Sequence, residues 1–163
     1  MKNLIIIASF SVSALLISCG GEEKKSTETQ TDSQEQAKST VPDPASYDPK
    51  RGEGKFTAES LALSDKLDEA KATAGETASG VKCGSCHKYT DEKLVGPGWK
   101  GVTTRRTPEW IMNFITNPDP MIDKDPEVQA MLELCLVRMP NQNLSDDEAR
   151  QILEFMRKND GLK

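Results

Sequence analysis

A chain of 163 residues has a length typical of a single domain. Its 21 basic and 26 acidic residues give a formal net charge of −5, and this acidic balance argues against nucleic acid as a partner. Hydrophobic residues make up 36% of the chain and charged residues 29%, which is the balance of an ordinary soluble protein with a hydrophobic start.

The N-terminus predicts an export signal that ends in a lipidation site. A basic start is followed by the apolar run Leu4–Ile17, which has the length of a signal peptide and is too short for a membrane span. The sequence Leu16-Ile17-Ser18-Cys19 that closes it resembles a bacterial lipobox. We therefore predict a lipoprotein signal peptide over residues 1–18 and lipidation of Cys19. The alternative is an ordinary secretory signal with a chance cysteine.

Residues 19–46 are predicted to form a lipidated, disordered tether. Almost no large apolar side chain occurs between Gly20 and Ser46, so this stretch cannot bury enough surface to offset the entropy lost on ordering. A chain of this length has a reach of roughly 30 Å. Gly20 stands where some bacteria place the aspartate that retains a lipoprotein at the inner membrane. We expect a periplasm-facing lipoprotein, with the outer membrane preferred over the inner one.

The domain is expected to span residues 47–163. Its first stretch, Tyr47–Phe56, is irregular, and the sequence assigns it no task. Ser64 is the predicted N-cap of a helix that leads to residue 82, because apolar residues then recur at helical spacing. These residues are Leu67, Ala70, Ala74, Ala78 and Val81.

The motif Cys83-Gly84-Ser85-Cys86-His87 predicts covalent attachment of a haem. Thiols one helical turn apart can each add to a vinyl group of the porphyrin, and the next residue, the only histidine in the chain, can then ligate the iron. A structural zinc site would need further thiols or histidines at ligand spacing, and these are absent from the sequence. A thioredoxin-like redox pair would need a βαβ setting, and no strand is predicted before the motif.

Three more helices are predicted after the motif. The first begins at Thr107-Pro108, the second at Asp125-Pro126, and the last at the capping box Ser145–Glu148. The second helix has an apolar face at positions i, i+3, i+4, i+7 and i+8. Cys135 lies on that face and is predicted to be a buried, unreactive thiol. The face comprises Val128, Met131, Leu132, Cys135 and Leu136.

The order of these signals resembles that of class I monohaem cytochromes c over roughly the last hundred residues. The resemblance implies that Met139, in a loop before Pro140, is the distal iron ligand opposite His87. It also implies that the Pro97 carbonyl accepts the other N–H of that histidine. Arg105 is the implied partner of a haem propionate, with Arg106 as the alternative.

The resemblance further implies an all-α cytochrome c fold, with about four helices around one covalent haem c. In the family the first and last helices cross through a glycine and two aromatic residues. Gly75 and Phe155 fit that pattern, but Ser79 stands where an aromatic residue is expected. The segment Asp119–Arg138 is longer than the pattern requires and predicts an extra helix before the distal methionine.

The predicted function is electron transfer. An iron ligated by His87 and Met139 has no open position for a substrate, and no other catalytic constellation is present in the sequence. We therefore expect a membrane-tethered carrier of single electrons between respiratory redox partners rather than an enzyme. The alternatives are a five-coordinate haem sensor or ligand-binding module, and a haem-bearing electron-entry subunit of a terminal oxidase or reductase.

Overall fold

The computed structural model describes residues 47–163, and the predicted signal peptide and tether lie outside this range. Apart from one antiparallel bridge between His87 and Lys93, these described residues contain no strand, so the all-α prediction is confirmed. No helix within residues 47–163 is both long and apolar enough to cross a membrane. The helices are α1 (Ala58–Leu61), α2 (Glu69–Lys82), α3 (Val102–Arg105), α4 (Pro108–Thr116), α5 (Pro118–Lys124), α6 (Pro126–Cys135) and α7 (Asp146–Asn159).

The long helices begin at side-chain caps. In α4 the Thr107 hydroxyl accepts the N–H of Trp110 at 3.3 Å. In α7 the Ser145 hydroxyl accepts the N–H of Glu148 at 3.2 Å, and the Glu148 carboxylate accepts the N–H of Ser145 at 2.9 Å. These contacts satisfy N–H groups that have no partner inside the helix. These two predicted helix starts and the third, at Asp125-Pro126, are confirmed, and the extra segment before Met139 contains two helices, α5 and α6.

The predicted N-cap of α2 is wrong. Ser64 caps only a local bend, in which its hydroxyl accepts the N–H of Lys66 at 3.1 Å. The helix instead begins after Asp68, whose carboxylate accepts the N–H of Lys71 at 3.0 Å. A carboxylate also suits the positive end of the helix dipole, which favours Asp68 as the cap.

Helices α2 and α7 cross in direct contact at Gly75. A Cβ atom at this position would overlap the backbone carbonyl of Gln151 in α7. The glycine crossing that the resemblance implied is therefore present. The buried face of α2 consists of the small residues Ala72, Gly75 and Ser79. The apolar face predicted from the alanine spacing is only partly correct, because Ala78 packs against the core whereas Val81 is 81% exposed.

Most of the core lies between α4 and α7. Ile111 and Met112 of α4 and Ile152 and Leu153 of α7 are almost completely buried. By contrast, α6 lies at the edge, and Val128 is its one buried residue.

Two predictions about the end of α6 are wrong. Leu136 was predicted to face inward, but it is 83% exposed and adopts a left-handed conformation that ends the helix. Cys135 was predicted to be buried, but it is only half-buried and is a free thiol. The helical pattern predicts which residues share a face, whereas burial depends on whether another element covers that face, and α6 is only partly covered.

The irregular segment Tyr47–Thr57, here called the strap, packs across α4 and α5. The side-chain amide of Asn113 accepts the N–H of Phe56 at 2.9 Å and donates to the carbonyl of the same residue at 3.0 Å. The Tyr47 hydroxyl donates to the buried carboxylate of Asp125 at 2.6 Å. The strap therefore has a structural task that its sequence did not reveal, because its partners lie more than fifty residues further along the chain.

Candidate functional site

Cys83, His87 and Met139 line one cleft between α2, α4, α7 and the loops around them. Its walls are mostly aliphatic and aromatic, with the two arginines Arg105 and Arg106 among the lining residues. A second cavity shares His87 and Met139 with the first, so the two adjoin. The apolar lining residues of the main cleft include Trp99, Val102, Trp110, Ile111, Phe114, Ile115, Leu144, Ile152 and Met156.

The Cys-x-x-Cys-His motif forms a tight turn that continues α2. The N–H groups of Cys86 and His87 both donate to the carbonyl of Cys83, at 3.0 and 2.9 Å. Cys83 in turn donates to the carbonyl of Ser79 at 2.8 Å, so the turn is fixed to the end of the helix. This places the histidine on a rigid element, as an iron ligand requires.

The imidazole of His87 is oriented by the backbone of Pro97. Its Nδ1 atom lies 2.8 Å from the Pro97 carbonyl oxygen, which can only accept a hydrogen bond, so Nδ1 donates and Nε2 is left as the available ligand atom. Burial lowers the pKa of His87, and the bond to Pro97 acts in the opposite direction. The neutral imidazole, which is the ligating form, is therefore favoured.

The loop after the motif folds back onto the histidine. Gly96 and Val95 donate to the carbonyl of Cys86 at 2.9 and 3.2 Å. A Cβ atom on Gly96 would overlap the ring of His87, so glycine is needed for this close approach. Trp99 is buried with its ring centre 5.7 Å from that of the histidine. Gly96 thus contributes the space for the imidazole, and Pro97 contributes its hydrogen-bond acceptor.

The two motif thiols differ in their surroundings. Cys83 is buried and lines the cleft, whereas Cys86 is half-buried on the same turn and does not line the two cavities beside His87. Burial raises the pKa of the Cys83 thiol to about 11, although the charge of Lys82 acts to lower it. Neither Cys83 nor Cys86 forms a disulfide with another described residue.

Met139 lies in the loop between α6 and α7, half-buried against the core. It lines both cavities beside His87. Met121, a methionine of α5, lines neither of them. It is fully buried beneath Gly52 of the strap. Met131 also lines both cavities. The sequence pattern placed it on the apolar face of α6 but did not indicate that it would lie at the cleft.

Arg105 and Arg106 both lie at the cleft, but their side chains are engaged differently. Arg105 is exposed and donates to the carbonyl of Lys100 at 2.9 Å. Arg106 stacks 4.3 Å from the ring centre of Trp110 and pairs with Glu127 at 2.7 Å. Both arginines therefore remain candidates for binding an anionic group at the cleft.

Tyr89 packs beside Ser79, the position at which the family pattern led us to expect an aromatic residue. Its ring packs edge-on against Phe155, with the ring centres 4.8 Å apart, and its hydroxyl lies 3.0 Å from that of Ser79. The aromatic residue that meets Phe155 here therefore comes after the haem motif rather than before it. Nothing in the local pattern around residue 89 could have indicated this.

The residues of the cleft fit a covalently bound haem. A thiol pair on one turn, an imidazole with an available Nε2, a thioether in the loop between α6 and α7 and mostly apolar walls make up the donor set and the surface that a c-type haem requires. The overlap that any side chain at Gly96 would produce with the imidazole agrees with a tightly packed proximal side.

Comparisons with known proteins agree with this fit. The family model described as cytochrome c matches residues 72–160. Cytochrome c from Rhodothermus marinus is 33% identical with a TM-score of 0.62, and the match covers 72% of this chain and 97% of that one. An engineered variant of the same protein is 32% identical with a TM-score of 0.61, and the match covers 72% of this chain and 98% of that one.

A second engineered variant, described as bound to a carbene intermediate, is 32% identical with a TM-score of 0.58. The match covers 72% of this chain and 98% of that variant. No curated protein matches the chain.

Proposed function

This chain belongs to the cytochrome c family, and we propose that it is a membrane-tethered carrier of single electrons between respiratory redox partners in the bacterial cell envelope. Membership of the family implies one covalent haem c and redox proteins as partners. The proposal adds the identity of the iron ligands, the tether and the compartment.

The observation that carries the proposal is that His87 and Met139 line the same cleft. If both side chains ligated the iron of a bound haem, that iron would have no coordination position left for a substrate. When bound, the haem supplies a one-electron ferric/ferrous couple, whose potential a methionine ligand raises. Such a site can exchange an electron with little rearrangement of the protein.

Other residues of the cleft would hold and shield the group. Cys83 and Cys86 would carry it through thioether bonds, and Pro97 would fix the ring orientation of His87. Arg105 would pair with a propionate. The apolar walls would exclude water, which keeps the charge change on electron transfer from reorganising solvent inside the cleft.

An absorption spectrum of the purified protein, reduced and oxidised, with and without carbon monoxide, tests the proposal. We expect a low-spin spectrum typical of His/Met ligation, with carbon monoxide binding slowly or not at all to the ferrous protein. Free and rapid binding would contradict it.

A small-ligand-binding module is the second candidate function. The observation that favours it is the engineered relative described as bound to a carbene intermediate. Rapid binding of carbon monoxide by the unmodified protein would favour this candidate, because a five-coordinate iron has an open position. Co-purification with a larger complex would instead indicate an electron-entry subunit of an oxidase or reductase.

The tether and the compartment are supported by the sequence alone. Residues 1–18 have the features of a signal peptide, and Cys19 ends a lipobox-like sequence. Covalent haem attachment to exported cytochromes takes place after the chain has crossed the inner membrane, which agrees with an export signal. Gly20 favours the outer membrane as the final location.

A further inference from the structure

The loop that carries Met139 has few links to the rest of the domain. Within residues 137–144, the hydrogen bonds of Gln142 and Asn143 stay inside the loop. Apolar contacts of Met139 and Leu144 with the core add to its anchoring. Among the described residues, the hydrogen bonds from this loop to another element are both made by Arg138.

Arg138 directly precedes Met139, and its guanidinium bridges two carboxylates of α5. One arm donates to Asp123 at 3.0 Å and the other to Asp119 at 3.0 Å. The two acidic residues are four positions apart, so they lie on the same face of the helix one turn from each other. A planar guanidinium can bond to both at once, which a lysine ammonium cannot do with the same geometry.

One side of helix α5 is buried against the rest of the domain. Pro118, Met121 and Ile122 are buried, and Met121 lies beneath Gly52 of the strap. The buried side of α5 therefore gives its exposed acidic side a fixed position. Because Arg138 bonds to that acidic side, the backbone directly before Met139 is fixed relative to α5.

We infer that Arg138 is a positioning residue, which holds the Met139 loop against α5 so that the methionine sulfur stays at the iron. This inference rests on the proposed function, since it needs Met139 as the distal ligand. Loss of the bridge would leave the ligand in place but make it easier to displace. The Asp119–Arg138 segment, which is longer than the family pattern requires, thereby acquires a role in ligation.

Imidazole binding to the ferric holoprotein measures how easily the methionine is displaced. We expect Arg138→Gln to bind imidazole about 3- to 10-fold more tightly than the unmodified protein, the range for losing two exposed charged contacts. Arg138→Lys should fall between the two proteins. Amide hydrogen exchange in residues 136–144 should be faster in Arg138→Gln, while exchange in α7 should be unchanged.

Substitution of the two acidic partners of Arg138 distinguishes a positioning role of Arg138 from a direct effect of its charge on the iron. The double variant Asp119→Asn/Asp123→Asn removes negative charge, whereas Arg138→Gln removes positive charge. Positioning predicts tighter imidazole binding in both variants, and a direct charge effect predicts opposite changes. Lys158→Gln is the matched control, because Lys158 forms a similarly exposed ion pair with Glu69 at 3.0 Å.

The outcomes separate this inference from the proposed function. If Met139→Ala binds imidazole far more tightly and Arg138→Gln behaves like Lys158→Gln, the positioning role is refuted and the ligand assignment stands. If Met139→Ala binds imidazole no more tightly than the unmodified protein, the ligand assignment is refuted, and the inference falls with it. Opposite shifts in the arginine and aspartate variants would also refute positioning.

Discussion

Met139 and Met121 differ in what their sulfur atoms can reach. Met139 lines both cavities beside His87, whereas Met121, on α5, is fully buried against Gly52 of the strap. We expect Met139→Ala to bind carbon monoxide readily and to have a lower reduction potential, because the thioether that favours ferrous iron is lost. Absorption spectra and redox titration of the holoprotein provide the measurement.

Two conservative variants serve as controls for Met139→Ala. Met121→Leu and Met131→Leu keep the side-chain volume, so each should cost less than about 1.5 kcal/mol of stability and leave the spectrum unchanged. Met131 is included because it lines the same two cavities. An altered spectrum in either control, with an unchanged one in Met139→Ala, would assign the ligand to the other methionine.

Asp125 makes stability depend on pH in the acidic range. Burial raises the pKa of this carboxyl, but hydrogen bonds from Tyr47 and Trp110 and from two backbone N–H groups outweigh it and hold the pKa below its ordinary value. The charged groups nearby are Arg106, stacked on Trp110, and Glu127, paired with Arg106. Burial and the bond to Asp125 raise the pKa of Tyr47, so its hydroxyl remains a donor.

Because the folded pKa of Asp125 lies below the unfolded one, its contribution is complete above about pH 4 and is lost as the pH falls further. Asp125→Asn should lower the free energy of unfolding at neutral pH by about 1–3 kcal/mol, since an amide N–H then faces the donors of Tyr47 and Trp110. Urea unfolding of both holoproteins should show this difference shrinking from about pH 7 to about pH 3. A difference that does not change with pH would contradict the assignment.

At the residue scale, the proximal side of the cleft could be predicted because its signals are local. Cys83, Cys86 and His87 lie within five consecutive positions, and the family resemblance implied the role of Pro97 in the loop that follows. Tyr89 could not be predicted, because its partners Ser79 and Phe155 come from two different helices. The role of Ser79 became interpretable only once that ring was seen beside it.

At the scale of the helices, α2 contains two glycines whose substitution by alanine should change the free energy of unfolding in opposite directions. A Cβ on Gly75 would overlap the backbone of α7, whereas a Cβ on Gly80 would meet only the Tyr89 hydroxyl at 3.8 Å. We expect Gly75→Ala to lower the free energy of unfolding by about 1–3 kcal/mol through overpacking. Gly80→Ala should raise it by about 0.5–1 kcal/mol, because alanine is the better helix former. Chemical unfolding of the two holoproteins gives the comparison.

Equal effects of the two substitutions would show that the helices can separate at the crossing without cost.

The difference between local and long-range contacts explains which parts of the helices the sequence predicts. Caps such as Thr107 and Ser145 act within four residues, and both were predicted. The buried face of α2 was mispredicted because the stripe that meets α7 is made of Ala72, Gly75 and Ser79, whose burial follows from closeness of backbones rather than from hydrophobicity.

The domain as a whole is closed by a segment that sequence patterns could not interpret. The strap has no helical or strand periodicity, and it is held by Asn113 and Asp125 through hydrogen bonds to distant positions. Such contacts depend on the finished tertiary structure, and a single sequence contains no local signal for them. The all-α class and the position of the haem motif were predictable, because they depend on local chemistry and helical periodicity.

The whole molecule is proposed to be a soluble haem domain on a lipid anchor, and Cys19 is the residue on which that arrangement depends. A single acyl chain binds a membrane only marginally, whereas two or three chains on one cysteine bind stably. We therefore expect Cys19→Ala to move the protein from the membrane to the soluble envelope fraction. Its haem staining and absorption spectrum should stay the same, because residue 19 lies outside the domain.

The matched control, Cys135→Ala, should remain with the membranes. If the Cys19→Ala protein still sediments with membranes after a high-salt wash, the anchor is not the lipid, and either the apolar segment Leu4–Ile17 is retained or a protein partner holds the domain there.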